Sequence, residues 1–224
     1  MSFMDNDVPM AAPVVFGGAL DRAVAYAQLL ATEGTVRGLI GPHEVPRLWE
    51  RHLLNSAVVG ELLPAGARVV DVGSGAGLPG IPIALARPDV DMTLLEPLAR
   101  RVAFLEECRD RLGLPVTVRR GRVEEGPARR ELGGADAVTA RAVAPLSRLA
   151  GWCLPLLRPG GTLLAVKGET AEDDLAAAGP ALRRAGVESA QVVRCGVGAV
   201  DPPTTVVAVT RGTVRATARG GRVR

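Results

Sequence analysis

The segment Asp71-Val72-Gly73-Ser74-Gly75-Ala76-Gly77-Leu78-Pro79-Gly80 follows a short β-branched run at 68–72 and leads into an apolar helical stretch at 81–86. Glycines at a strand-to-helix turn supply turn geometry and let a ligand approach the main chain closely. Residues 75–80 fit the dinucleotide pattern G-x-G-x-x-G, which is a weak signal by itself. The acid two positions before the first glycine discriminates between ligands. A pyrophosphate at a helix N-terminus wants positive potential, and Asp71 would repel it. S-Adenosylmethionine has no phosphate, and its ammonium and sulfonium favour a nearby carboxylate. Asp71, Gly73, Gly75 and Gly77 therefore point to S-adenosylmethionine over NAD(P).

The surrounding pattern alternates. Further apolar or β-branched runs stand at 92–96, 116–118, 135–139, 162–166, 187–193 and 204–209, with helical stretches at 102–112, 146–157 and 175–182. Strand and helix in turn mark an α/β fold with a mostly parallel sheet, here of seven strands. No helix separates the final two strands, so they are expected to pair antiparallel. Upstream, residues 1–17 read as a frayed start. Leu20, Val24, Ala27 and Leu30 have helical spacing, and a second helical stretch covers 48–63. The expected organisation is an N-terminal helical extension (1–64), a catalytic domain (65–212) and a basic, disordered tail (213–224).

Composition excludes several classes. Two His and three Cys without a C-x-x-C pair form no zinc site, so no metal is expected. No uninterrupted apolar run of about 18 residues is present, so no membrane span is expected. An odd cysteine count without a secretory leader fits a reduced, cytoplasmic setting. Arg211, Arg215, Arg219, Arg222 and Arg224 close the chain without an acid, leaving the remainder mildly acidic despite a net charge of +3. A basic end suits polyanions and equally suits a solvated terminus.

Three more features bear on a ligand. Glu96 ends the second strand, where an acid accepts hydrogen bonds from ribose hydroxyls in either nucleoside cofactor. Val123-Glu124 follows the third strand, beside the expected adenine position; charge balancing among neighbours is the alternative for Glu124. Arg119, Arg120, Arg122, Arg129 and Arg130 crowd this third of the sheet with acids interleaved, which suits phosphate contacts. With so few aromatics, a stacking platform for single strands is disfavoured, and recognition would rest on phosphates and RNA shape.

Taken together, Arg51-His52-Leu53-Leu54-Asn55-Ser56, the segment 71–80 with Ile81-Pro82, Arg122-Val123-Glu124-Glu125, Arg141-Ala142 and Lys167-Gly168 resemble the bacterial 16S ribosomal RNA guanine-N7 methyltransferases, the glucose-inhibited division protein B family. The resemblance runs from about residue 20 to about residue 210. It implies a class I, Rossmann-like methyltransferase fold with an antiparallel last strand, S-adenosyl-L-methionine as cofactor, and guanine N7 of 16S rRNA as acceptor. The partner would be that rRNA, the small ribosomal subunit or its assembly intermediate, met by a monomer. Gly73, Leu78, Val123, Glu124 and Arg141 would contact the cofactor or border its pocket. Arg51, His52, Arg122 and Lys167 would face RNA, with Arg141, Lys167 and Arg122 as candidate catalytic groups. Ser74 and Ala76 replace the family's frequent Thr and Pro, and Glu96 its frequent Asp. A small-molecule methyltransferase of the same fold, or an NAD(P)-binding oxidoreductase, are the alternatives.

The chemistry is undemanding. Guanine N7 has an in-plane lone pair and no proton to lose, so in-line transfer needs no general base. Residues 139–145 lack the Asn/Asp-Pro-Pro-aromatic motif of exocyclic-amine methylation, and Cys153 lies in a helix rather than in a position to attack a base. An Arg beside guanine can donate to O6 and N7. A donor on N7 would block methylation, so Arg141 is expected on O6, a phosphate or the cofactor carboxylate. Lys167, the chain's single lysine among 27 basic residues, ends the fifth strand at the ligand-binding edge.

Overall fold

The computed structural model describes residues 8–213. Its strands are β1 (Arg68–Val72), β2 (Asp91–Glu96), β3 (Thr117–Arg120), β4 (Ala135–Arg141), β5 (Leu157–Lys167), β6 (Val187–Cys195) and β7 (Thr204–Arg211). They form one seven-stranded sheet in the order β3-β2-β1-β4-β5-β7-β6. Strands β1 to β5 pair in parallel. β7 inserts between β5 and β6 and runs antiparallel to both, which is the hairpin and reversed last strand expected from the sequence. The chain direction across the sheet switches between β1 and β4, and the crevice at such a switch point is where open α/β sheets bind ligands.

The helices are α1 (Ala11–Phe16), α2 (Leu20–Leu29), α3 (Asn55–Ala57), α4 (Gly80–Ala86), α5 (Ala99–Leu112), α6 (Gly126–Leu132), α7 (Leu146–Cys153) and α8 (Ala171–Arg184). In α5 the buried Val102, Leu105, Cys108 and Leu112 repeat every three or four residues. Gly113 ends the helix at φ 57°, and Arg109 and Arg111 stand in its last turn. α8 carries Glu172, Asp173 and Asp174 in its first turn and Arg183 and Arg184 in its last, complementing the helix dipole at both ends.

Three local readings change. Residues 11–16 are helix rather than a frayed start, because Ala12 and Phe16 are buried against the rest of the extension. β5 begins at Leu157, not at 162. Pro159-Gly160-Gly161 falls where the β4–β5 register shifts between Ala135 and Ala137, so these turn residues make a bulge instead of ending a helix. α6 had no sequence signal, since only Ala128 and Leu132 of its seven residues are buried.

The extension is built into the core. Tyr26, Leu30 and Leu53 share one apolar cluster with Ile81, Met92, Leu94 and Phe104. Arg87 seals the junction by donating to the carbonyls of Gly60 (2.6 Å), Leu63 (3.0 Å) and Pro64 (3.1 Å). A second cluster on the opposite sheet face joins α6, α7 and α8 to the strands. The helical stretch Ala11–Gly34 is long and apolar enough to span a membrane by length and composition. Ala23, Tyr26, Ala27 and Leu30 of this stretch are buried in the shared cluster, and 39% of its most apolar part is buried in all. Of the expected basic tail, Arg211 belongs to β7 and donates to the Leu157 carbonyl. Arg215, Arg219, Arg222 and Arg224 lie outside the described residues.

Candidate active site

The glycine loop follows β1 and borders a cleft of about 560 Å³ at the carboxyl edge of the sheet. Its conformation admits little but glycine at two points. At Gly73, with φ +68°, an added Cβ would lie 2.9 Å from Val143. At Gly77, with φ +100°, it would lie 2.5 Å from Ile81 and 2.9 Å from the Tyr26 hydroxyl. Tyr26 is buried and donates to the Ala76 carbonyl at 2.8 Å. Helix α2 of the extension thus buttresses the loop from behind.

Two acids hold the loop. Glu96, almost fully buried, accepts from the Gly75 N–H on Oε2 and the Leu98 N–H on Oε1, each at 3.0 Å, and lines the cleft. Asp71 is buried behind the loop rather than in the cleft wall. It accepts from the Thr139 hydroxyl at 2.8 Å and the Gly80 N–H at 3.2 Å. Burial pushes its carboxyl up to about 6, against the lowering effect of those hydrogen bonds. Arg101 also lines the cleft; its Nη1 is 3.8 Å from Glu96, and its buried Nε has no hydrogen-bond partner among the described residues.

A second cleft, of about 780 Å³, adjoins the first, and Arg141 and Ala142 line both. Ala142 has φ 53°, the one non-glycine residue at positive φ among those described. Such backbone strain persists where surrounding structure over-determines it. Arg141 is held by the extension. It donates to Ser56 Oγ (3.3 Å), the Arg51 carbonyl (3.1 Å) and His52 Nδ1 (2.9 Å). Lys167 lines the second cleft, its Nζ 3.0 Å from Asp174 of α8.

The sequence matches the family described as rRNA small subunit methyltransferase G over residues 19–200. The chain belongs to this family. Curated relatives bear the name ribosomal RNA small subunit methyltransferase G. The one from Thermobifida fusca is 60% identical, covering 89% of this chain and 84% of its own. That from Salinispora arenicola is 55% identical, covering 95% and 90%. Solved structures share the fold at low identity. A putative S-adenosyl-L-methionine-dependent methyltransferase from Methanococcus maripaludis has a TM-score of 0.59 at 12% identity over 87% of this chain and 94% of that one. The mitomycin 7-O-methyltransferase has 0.59 at 18%, over 92% and 74%.

Within this family fold, the residues singled out from sequence divide between the two clefts. Gly73, Gly75, Leu78, Glu96, His52, Arg122 and Arg141 line the first. Arg51, Arg141 and Lys167 line the second. Gly77 shapes the loop from behind, and Val123 is buried in the second apolar cluster. Glu124 is exposed, 3.8 Å from Arg122, and lines neither cleft. Sequence reasoning missed Tyr26, Leu39 and Ile40 of the extension and gave Arg101 no individual role. Leu39 and Ile40 reach the first cleft across a turn with no recognisable motif, and Tyr26 lies 50 residues from its partner Ala76.

Proposed function

We propose that the protein transfers a methyl group from S-adenosyl-L-methionine to N7 of a guanine in the RNA of the small ribosomal subunit. The observation that carries this reading is the pair of adjoining clefts meeting at Arg141-Ala142. The first, at the glycine loop, suits the methyl donor, and the second suits the acceptor. Membership of the rRNA small subunit methyltransferase G family supports RNA as substrate.

The first cleft fits the donor. Its volume lies within the roughly 300–1,000 Å³ usual for small-molecule sites. Gly73 and Gly75 leave the main chain bare, and Arg101 lines the cleft beside Glu96. Gly73, Gly75, Leu78, Glu96 and Arg141 would hold the group, with Glu96 toward the ribose and Asp71 acting as a buried negative charge behind the loop. When bound, S-adenosylmethionine supplies an electrophilic methyl carbon, which N7 accepts in line through its lone pair. The chain's task is to align the two sites and exclude water, and no general base is assigned. Among the described residues three of the five N–H donors of Arg141 are engaged, which leaves Nε–H and one Nη1 hydrogen for O6, a phosphate or the donor's carboxylate. Arg51 and Arg122 are exposed at the two clefts and suit the RNA backbone, while Lys167, largely buried and paired with Asp174, stands in the wall of the second. Of the segment 122–125 only Arg122 lines the donor cleft, so Val123 and Glu124 are assigned no contact with the cofactor; a monomeric, cytoplasmic enzyme is the acting species.

The test incubates the protein with labelled S-adenosylmethionine and, separately, small ribosomal subunits, free small-subunit rRNA and total tRNA. Label should enter the ribosomal RNA alone, at a guanine that becomes sensitive to reductive aniline cleavage. Label in tRNA, or none in ribosomal RNA in any form, would contradict the reading.

A further inference from the structure

Arg141 projects from the end of β4, yet among the described residues its hydrogen-bond partners all belong to the extension. One of those bonds fixes a histidine tautomer. A guanidinium has donors only, so the 2.9 Å contact from Arg141 Nη2 requires a lone pair on His52 Nδ1. The proton of a neutral imidazole then sits on Nε2, and Nε2 is 2.7 Å from Glu44 Oε2. Glu44–His52–Arg141 is a directed chain, in which Arg141 donates to His52 and His52 donates to Glu44. His52 is 8% exposed, and its ring also lines the first cleft.

We infer that His52, oriented by Glu44, is a positioning residue that sets the guanidinium of Arg141 at the boundary between the donor and acceptor clefts. This rests on the two-cleft reading above and gives the histidine a role other than RNA contact. The charged groups facing His52 are Glu44, Arg51 and Arg141. Burial first, and Arg141 second, hold the imidazole below its usual pKa, against the raising effect of Glu44. The neutral ring that Arg141 requires is therefore the form present at neutral pH. A ring protonated on Nδ1 would oppose N–H to N–H and release Arg141 on that side.

The arrangement also explains the placement of the extension. A side chain as long as Arg141, projecting between two open clefts, has many rotamers available. Fixing it before substrates arrive removes that ordering cost from the reaction. Ser56, His52 and the Arg51 carbonyl come from one short stretch, 51–56, in the motif that opens the family resemblance.

Two substitutions separate positioning from bulk. His52→Asn keeps an acceptor oxygen where Nδ1 stands but gives up the reach to Glu44. His52→Gln reaches toward Glu44 and has no acceptor at the δ position. A hydrogen bond to a charged group is worth enough that losing it should lower kcat for RNA methylation about tenfold or more in His52→Gln, with His52→Asn staying within about threefold of wild type. The KM for S-adenosylmethionine should move less than about threefold in both, since a misaimed boundary residue is felt at transfer. Equal loss in the two variants, or an unimpaired His52→Gln, overturns the proposal.

A second measurement needs no activity. In ¹⁵N-labelled protein, with His43 removed by His43→Gln to leave one imidazole, His52 should show an unprotonated Nδ1 and a protonated Nε2 at pH 7.5. Arg141→Ala combined with Glu44→Ala, which removes both the donor to Nδ1 and the acceptor from Nε2, should release this into exchange between tautomers. A protonated Nδ1 in the Arg141 protein overturns the chain of bonds. If wild-type protein transfers no methyl group to RNA, the functional reading fails, and the spectrum alone then decides the tautomer.

Discussion

Asp71 shows how one residue can be read correctly by type and differently by role. Its acidity two positions before Gly73 singled out the cofactor class, yet the carboxylate lies behind the loop, bound to Thr139 and the Gly80 N–H. Its folded pKa is raised from 3.8 to about 6, mainly by burial. Between those values the native state binds more protons than the unfolded chain, so this residue's contribution to stability falls as pH rises and is least favourable above about 6. The cost at pH 8 is on the order of 3 kcal/mol. Asp71→Asn removes it, provided the Thr139 hydroxyl turns to accept from the new amide. Denaturant unfolding at pH 4 and pH 8 should show the variant gaining on wild type as pH rises, and a gap independent of pH would refute this. Lys167 makes a compact ion pair with Asp174 in the wall of the second cleft. A wider, planar guanidinium does not reproduce that geometry. Lys167→Arg should therefore lower RNA methylation severalfold with little change in melting temperature, and an unimpaired variant would return the lone lysine to mere composition.

The elements were legible wherever their pattern was local. The glycine loop, the parallel strands and the closing hairpin could be read because β-branched runs, Gly-Pro turns and connection lengths are written in adjacent residues. α6 was not, because two buried residues in a charged segment make no stripe. The bulge in β5 was not, because Pro159-Gly160-Gly161 also suits a helix stop, and only the partner strand shows which applies. The candidate site was legible at the loop and at Arg141. It was not at Tyr26, Glu44 or Ile40, whose roles arise from packing of the extension onto the loop across many residues of sequence. That packing has a measurable consequence. Tyr26→Phe leaves the Ala76 carbonyl without its donor in a buried place, which costs about 1–3 kcal/mol. Calorimetry should show weaker S-adenosylmethionine binding, and unchanged affinity would mean the loop holds its shape unaided.

At the scale of the whole molecule, the extension and the sheet share one apolar core, sealed by Arg87 across Gly60, Leu63 and Pro64. Wild-type protein should therefore unfold in a single cooperative transition. Arg87→Ala, which strips three carbonyls of their donor, should lower its midpoint without splitting it, and a split curve would make the extension a separate unit. The shared core also places Arg51, His52 and Ser56 of the extension beside Arg141 of the sheet, so that one face presents the donor cleft, the acceptor cleft and the surrounding cations together. Binding that rests on phosphate contacts weakens steeply with salt, whereas a small-molecule acceptor would be nearly indifferent to it. The most direct measurement is transfer of label from S-adenosylmethionine to small ribosomal subunits and their free RNA across a salt series, with the product mapped to a nucleotide. The account predicts a single guanine modified at N7 and a rate that falls as salt rises. Label absent from ribosomal RNA, or placed on an exocyclic amine, would contradict it.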